Sequence, residues 1–172
     1  MRNTLKFIMA LALAFILMLA FRALVFTIYY VGDNGMAPVF RKGDCVMVNR
    51  WSYGLRTGGG GIFPYGRICK QQVDKGDIIA VEDSLGQILF VECLAQPGDT
   101  VRTHGRSFIV PGRQSCARQD YYYVCAPGRK SPSPVFVPEC CIIGRACLVV
   151  YNHAPQMPLW LGYDNSRYLL PK

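Results

Sequence analysis

Histidine is almost missing from this chain, with two residues in 172, and its eight cysteines include no Cys-x-x-Cys pair. Zinc-type sites are built from such closely spaced ligands. His104 and His153 lack ligand-like spacing, and the neighbours Cys140 and Cys141 would point to opposite faces of an extended chain, so neither a metal nor any other cofactor is expected. Acidic residues are also few: 11 Asp and Glu stand against 19 Lys and Arg, a formal net charge of +8. That excess suits either nucleic acid or an anionic membrane surface. The basic residues are scattered singly, with no dense run and no interleaved aromatics of the kind that read bases. Nucleic acid is therefore not an expected partner, whereas acidic lipid is. The glycines Gly58 to Gly61 lack the Lys-Ser/Thr ending and the strand-to-helix setting of a phosphate cradle, so Thr57 to Gly61 reads as a loop and no nucleotide site follows. There is no internal repeat.

What the chain does have is an apolar N-terminus. Phe7 to Phe21 contains no polar side chain. A helix needs about 20 residues to cross the hydrocarbon core, and Arg22 interrupts the run before Ala23 to Phe26 resumes it. An arginine near a helix end can snorkel to the headgroups, so a membrane span over Leu5–Ile28 is expected. Arg2 and Lys6 favour a cytoplasmic N-terminus. A cleaved signal fits less well, because Ala20-Phe21-Arg22-Ala23 puts bulk and charge where small residues would be needed. The expected organisation is a cytoplasmic tip and signal anchor over residues 1–28 and a β domain over residues 29–172. This places the protein as a single-pass component of the cytoplasmic (inner) membrane, with its β domain on the outer side.

Beyond the anchor nothing reads as a long amphipathic helix, while short β-branched and aromatic runs alternate with Gly, Pro and Asp turns. Strands are expected at Ile28–Val31, Cys45–Asn49, Asp77–Val81, Gln87–Leu94, Thr100–Arg102, Ser107–Val110 and Ala146–Tyr151. His104-Gly105 marks a tight hairpin, since glycine tolerates the positive φ such turns need. Arg129 to Pro134, with two prolines, is expected as a loop. The segment Pro158 to Lys172, with Trp160, Tyr163 and Tyr168, is expected to pack back onto the domain. Two readings of the cysteines stay open: disulfides, if the domain is exported, or small buried apolar side chains.

Several motifs occur in a fixed order. They are Phe21-Arg22-Ala23-Leu24-Val25-Phe26, Gly35-Met36-Ala37-Pro38, Lys42-Gly43-Asp44, Val48-Asn49-Arg50-Trp51-Ser52-Tyr53-Gly54-Leu55-Arg56 and Lys75-Gly76-Asp77-Ile78-Ile79. Gln96-Pro97-Gly98-Asp99-Thr100-Val101, Phe136-Val137-Pro138-Glu139 and Ile143-Gly144-Arg145-Ala146 follow. Each Gly-Asp alone is only a turn. In this order and spacing the chain resembles type I signal peptidases, membrane-anchored serine-lysine proteases of protein export. The resemblance implies a mostly β domain of coiled antiparallel sheets behind one transmembrane helix.

It also implies where catalysis would sit. The family nucleophile is a serine directly before the Met-x-Pro element, which here is Gly35. The general base is a lysine six residues before the Pro-Gly-Asp turn, which here is Val91, followed by Glu92. A glycine cannot attack a carbonyl and a valine cannot accept a proton, so the dyad is not intact. Asp33 stands where the family often places an oxyanion-stabilising hydroxyl, and a carboxylate there repels that charge. The later carboxylate-bearing element is shortened to Ala126-Pro127-Gly128-Arg129 and Ser131-Pro132-Ser133-Pro134. Cys45, Cys93 and Ser52 are the remaining nucleophile candidates. Tyr29, Val31, Leu89 and Phe90 would line a peptide groove, or else fill a closed core. The expected role is a catalytically inactive homologue that binds exported peptides or a partner such as an active paralogue. The alternatives are an active serine-type endopeptidase that uses relocated residues or an intact partner, and a structural, disulfide-supported membrane module.

Overall fold

The computed structural model describes residues 2–58, 64–103, 105–115, 117–128, 134–153 and 157–158. A 24-residue helix, α1 (Arg2–Val25), leads into eleven strands among the described residues. Its length is about 36 Å at 1.5 Å per residue, and apolar side chains such as Leu5, Phe7, Leu11, Phe15 and Met18 are exposed along it. Among the described residues no helix is long and apolar enough to cross a membrane. The helix also stops short of the expected Ile28. β1 (Phe26–Tyr30) begins at once and pairs antiparallel with β2 (Asp44–Asn49), Phe26 opposite Asn49 and Tyr30 opposite Cys45. The β-branched and aromatic run Thr27-Ile28-Tyr29-Tyr30 is better suited to a pleated surface than to a helix. The N–H of Arg50 closes the junction on the Val25 carbonyl at 2.9 Å.

The strands β3 (Leu55–Thr57) and β4 (Gly66–Ile68) form a small hairpin, as do β7 (Thr100–Thr103) and β8 (Arg106–Ile109). Thr103 pairs with Arg106 across the expected two-residue turn, where Gly105 has φ 75° and His104 lies outside the described residues. The remaining strands are β5 (Ile78–Glu82), β6 (Ile88–Ala95), β9 (Tyr121–Cys125), β10 (Val135–Pro138) and β11 (Ile142–Asn152). They join β1 and β2 in one seven-stranded antiparallel sheet of order β1-β2-β11-β5-β6-β9-β10. Residues 129–133 of the expected Arg129–Pro134 loop and all but Pro158 of the expected C-terminal tail lie outside the described residues.

Alternation along β5 and β6 builds two cores, one on each face. Ile78, Ala80 and Phe90 face a cluster with Val31, Met36, Phe40 and Val46. Ile79, Val81, Val91 and Cys93 face another with Tyr53, Val73, Tyr122 and Val124. Strands buried on both faces read as continuous apolar runs rather than alternating ones, which is how Ile78 to Val81 reads.

The three expected Gly-Asp turns share one construction. In 41–44, 74–77 and 96–99 the aspartate N–H donates to the carbonyl three residues earlier, at 3.1, 3.2 and 3.1 Å. The aspartate carboxylate accepts the N–H of that same earlier residue: Arg41 at 2.9 Å, Asp74 at 3.3 Å and Gln96 at 2.7 Å. The third residue of each turn has positive φ, which glycine supplies without strain (Gly43 104°, Gly76 85°, Gly98 90°). These motifs are thus turn architecture, and each delivers the chain into β2, β5 or β7.

Two buried ionic clusters tie the sheet to its loops. Asp77 accepts the Tyr53 hydroxyl at 2.8 Å and pairs with Arg145 at 3.0 Å. Arg67, on β4 and 2% exposed, pairs with buried Glu139 at 3.6 Å and donates to the carbonyls of Gly54, Glu139 and Ile142. Lys70 bridges Glu139 at 2.8 Å and Asp120 at 2.6 Å. The seven described cysteines are free thiols, distributed mostly over separate strands. The disulfide expectation therefore has no pair among the described residues, and Cys116 lies outside them.

Candidate functional site

Gly35 is buried in the turn after β1, where its N–H donates to the Asp33 carboxylate at 3.2 Å. The Gly35 carbonyl accepts the N–H of Gly128 at 2.9 Å. Gly128 fits there because it has no side chain: a Cβ on it would overlap the Asn34 carbonyl oxygen and lie 2.6 Å from the Ala37 nitrogen. The shortened element Ala126-Pro127-Gly128 therefore docks directly onto the turn that carries Gly35.

Val91, on β6, shares a core with Ala126 at the other end of that element. It is 8% exposed, in the second core with Ala126, and both line a trough of about 540 Å³ between β5, β6, β9 and β10. The trough walls are Val81, Leu89, Val91, Val124, Ala126 and Val137, with Glu82 and Asp83 at one end. Volumes of this order hold peptide side chains or small ligands. Neither lysine nor histidine is among the described residues that line this trough; its polar lining is Glu82, Asp83, Ser84, Cys125 and Cys141.

The four residues expected to line a groove separate into two pairs. Tyr29 and Leu89 meet at a hollow of about 370 Å³ that also involves Tyr30, Gly32, Asp33, Gln87 and Ile88. Val31 and Phe90 are buried instead in the first core, where the Phe90 ring stands edge-on to Phe40 with centroids 5.5 Å apart. Leu89 and Phe90 point to opposite faces of β6, as adjacent strand residues must.

The alternative nucleophiles are placed poorly for attack. Burial, helped by the charge of Asp77, pushes the Cys93 thiol up to about 12, and its sulfur contacts the Ala95 carbonyl at 3.7 Å. Burial followed by the Asp44 charge also raises Cys45. Thiols held protonated in this way are weak nucleophiles. Ser52 lies in the turn between β2 and β3. Among the described residues no cluster of three or more His, Cys, Asp or Glu could hold a metal ion. Sequence reasoning missed the walls contributed by β9 and β10. Their signal was present as the apolar runs Tyr121 to Cys125 and Val135 to Val137, masked by flanking proline, serine and glycine.

An antiparallel β domain behind one N-terminal helix, with Gly128 docked on the Gly35 turn and Ala126 packed in one core with Val91 of β6, defines a class of sheet-built domain. The chain belongs to the signal peptidase family, peptidase S26, whose sequence pattern matches residues 4–134. That match takes in Gly35, Val91 and Ala126 to Gly128. No curated protein matches the chain.

Proposed function

We propose that the protein is a non-hydrolytic signal peptidase homologue, anchored in the cytoplasmic membrane through α1, that holds an extended peptide or partner segment on the outer side. The observation that carries this reading is the pair of replaced positions with their surroundings. Gly35 offers no nucleophile and its N–H, a donor an oxyanion would need, is taken by the Asp33 carboxylate. Val91 offers no base, and neither lysine nor histidine is among the described residues that line the trough with it. Loss of both members of a nucleophile-base pair leaves no covalent route. Membrane attachment is supported by the exposed apolar side chains of α1, which are costly to leave in water.

The test is cleavage of a preprotein bearing an Ala-x-Ala site by full-length protein in lipid, beside the Gly35→Ser, Val91→Lys double variant. No cleavage by the natural chain is expected, with the peptide retained in a pull-down. Turnover by the natural chain would overturn the non-hydrolytic reading, and its loss in Cys45→Ala, Cys93→Ala or Ser52→Ala would identify a relocated nucleophile.

A further inference from the structure

Two adjacent thiols sit in the turn that carries buried Glu139. After β10 the chain makes a single 3-10 turn over Glu139–Cys141, and the Ile142 N–H closes it by donating to the Glu139 carbonyl. Cys140 and Cys141 are the two residues inside that closure. Both are free and half-buried, and their side chains are in hydrogen-bond contact, the Cys141 thiol donating to the Cys140 sulfur. Cys141 also lines the trough of about 540 Å³ beside Val91, which gives a small molecule a way to the pair.

The same turn clamps Arg67. The guanidinium donates to the carbonyls of Glu139 and Ile142, and the Tyr65 hydroxyl donates to the Glu139 carbonyl at 3.2 Å. The two thiols therefore stand between two acceptors of one buried cation. Any change in the backbone from Cys140 to Cys141 moves one acceptor relative to the other.

We infer that Cys140 and Cys141 form a vicinal dithiol that takes a low-molecular-weight disulfide as its substrate, closes to a vicinal disulfide by exchange, and loosens the clamp on Arg67 when it does. Burial, followed by the charge of Cys140, pushes the Cys141 thiol up to about 11, so Cys141 keeps its proton and Cys140 attacks first. Cys140 gives up its proton and bonds to one sulfur of the external disulfide; that S–S bond breaks, and one external thiol leaves with a proton. Cys141 then loses its proton and bonds to the Cys140 sulfur, breaking the mixed disulfide and releasing the second external thiol. The two cysteines are oxidised and the external disulfide is reduced to two thiols.

Closure strains the turn. Neighbouring Cα atoms stand about 3.8 Å apart, below the roughly 4.4–6.8 Å that disulfides usually span. So short a loop removes little chain entropy from the unfolded state, and the strain decides the sign. The oxidised form is the less stable and is readily reduced again, as strained disulfides are. This modification goes beyond peptide holding and is tested without any peptide.

The test treats full-length protein in detergent with oxidised glutathione, alkylates the remaining thiols and weighs the tryptic peptides. Residues 131–145, released by cleavage after Lys130 and Arg145, contain Cys140 and Cys141 and no other cysteine. That peptide is expected to be lighter by two hydrogens and unalkylated, and to become doubly alkylated after dithiothreitol. Cys141→Ser, which lacks the second thiol, is expected to trap glutathione on Cys140. A doubly alkylated peptide after oxidised glutathione, or one that keeps glutathione in the natural chain, would overturn the proposal. A cross-link to residues 119–129, which carry Cys125, would overturn the vicinal pairing. The urea midpoint of the oxidised protein is expected to fall and to recover on reduction, and not to respond in Cys140→Ser. A midpoint unmoved by closure would overturn the coupling to Arg67.

Discussion

Replacing Glu139 by glutamine is expected to lower the unfolding free energy by ~3–5 kcal/mol, the usual cost of leaving a buried charge without its partner. Glu139 is 4% exposed, and its carboxylate lies beside the Arg67 guanidinium, itself almost wholly enclosed. Arg67 also donates to three backbone carbonyls and to the Tyr65 hydroxyl, the last at 2.6 Å. Those acceptors orient the guanidinium without neutralising it. With glutamine in place, a cation remains inside the protein facing dipoles only. Urea unfolding in detergent, followed by circular dichroism, is expected to show a lower midpoint with an unchanged slope. A loss below about 1 kcal/mol would mean that the carbonyls alone hold Arg67, and that the ion pair is incidental.

The same cluster sets an acid limit. The Asp120 carboxyl is held below the ordinary carboxylate range: burial works against this, but the Arg113 N–H and the Lys70 ammonium outweigh it. Asp99 is likewise lowered, by the Gln96 N–H and by Lys75. A depressed folded pKa gives stability that is present above the unfolded value, about 4, and is lost as pH falls through the folded one. Stability is therefore expected to fall on acidification below about pH 4, and to fall less steeply in Asp120→Asn, as read from unfolding midpoints across pH 2–6.

How much of this was legible in the sequence follows from what each element needs. The strands β5 and β6 were plain because both faces are covered, so every residue from Ile78 to Val81 could be apolar. The Gly-Asp turns were plain because positive φ and a carboxylate back-bond demand those two residues in that order. β3 and β4 were not legible. Three residues each, with Arg56 and Arg67 at their centres, give no period to read. Arg67 in particular carries no mark of burial in Gly66-Arg67-Ile68; its acceptors come from Gly54, Glu139 and Ile142, which only folding brings together. Gly35 and Val91, where the resemblance puts the catalytic pair, could be located by order along the chain. The trough could not, because it needs β9 and β10 laid beside β6, and β10 follows a proline-rich stretch that argues against a strand. Tyr29 and Leu89 fell at a hollow, while Val31 and Phe90 went into the core. Alternation along a strand decides such matters, and a list of neighbours in sequence does not.

Asp77→Ala is expected to cost ~3–5 kcal/mol as well, by a different route. Asp77 is 6% exposed and serves three partners: the Tyr53 hydroxyl, the Arg145 guanidinium and the Asp74 N–H. Burial, reinforced by the hydrogen bond to Asp77, drives the Tyr53 hydroxyl far above its usual pKa, so it stays a donor throughout the working range. Removing the carboxylate strands that hydroxyl in the second core and opens the turn that starts β5. Tyr53→Phe removes donor and hydroxyl together and is expected to cost only about 1 kcal/mol. Arg145→Ala, from a side chain 49% exposed, is expected to cost less than about 1 kcal/mol, since water screens that half of the pair. The order Asp77→Ala, then Tyr53→Phe, then Arg145→Ala separates a buried acceptor from a surface ion pair; Arg145→Ala at the top would mean that the charge pair dominates. Ile79, two residues beyond Asp77, pairs with Val91, so a loosened turn frees the trough wall that carries Val91. Peptide retention by Asp77→Ala is therefore expected to fall at temperatures where the protein is still folded, because the trough loses its shape before the sheet loses its strands.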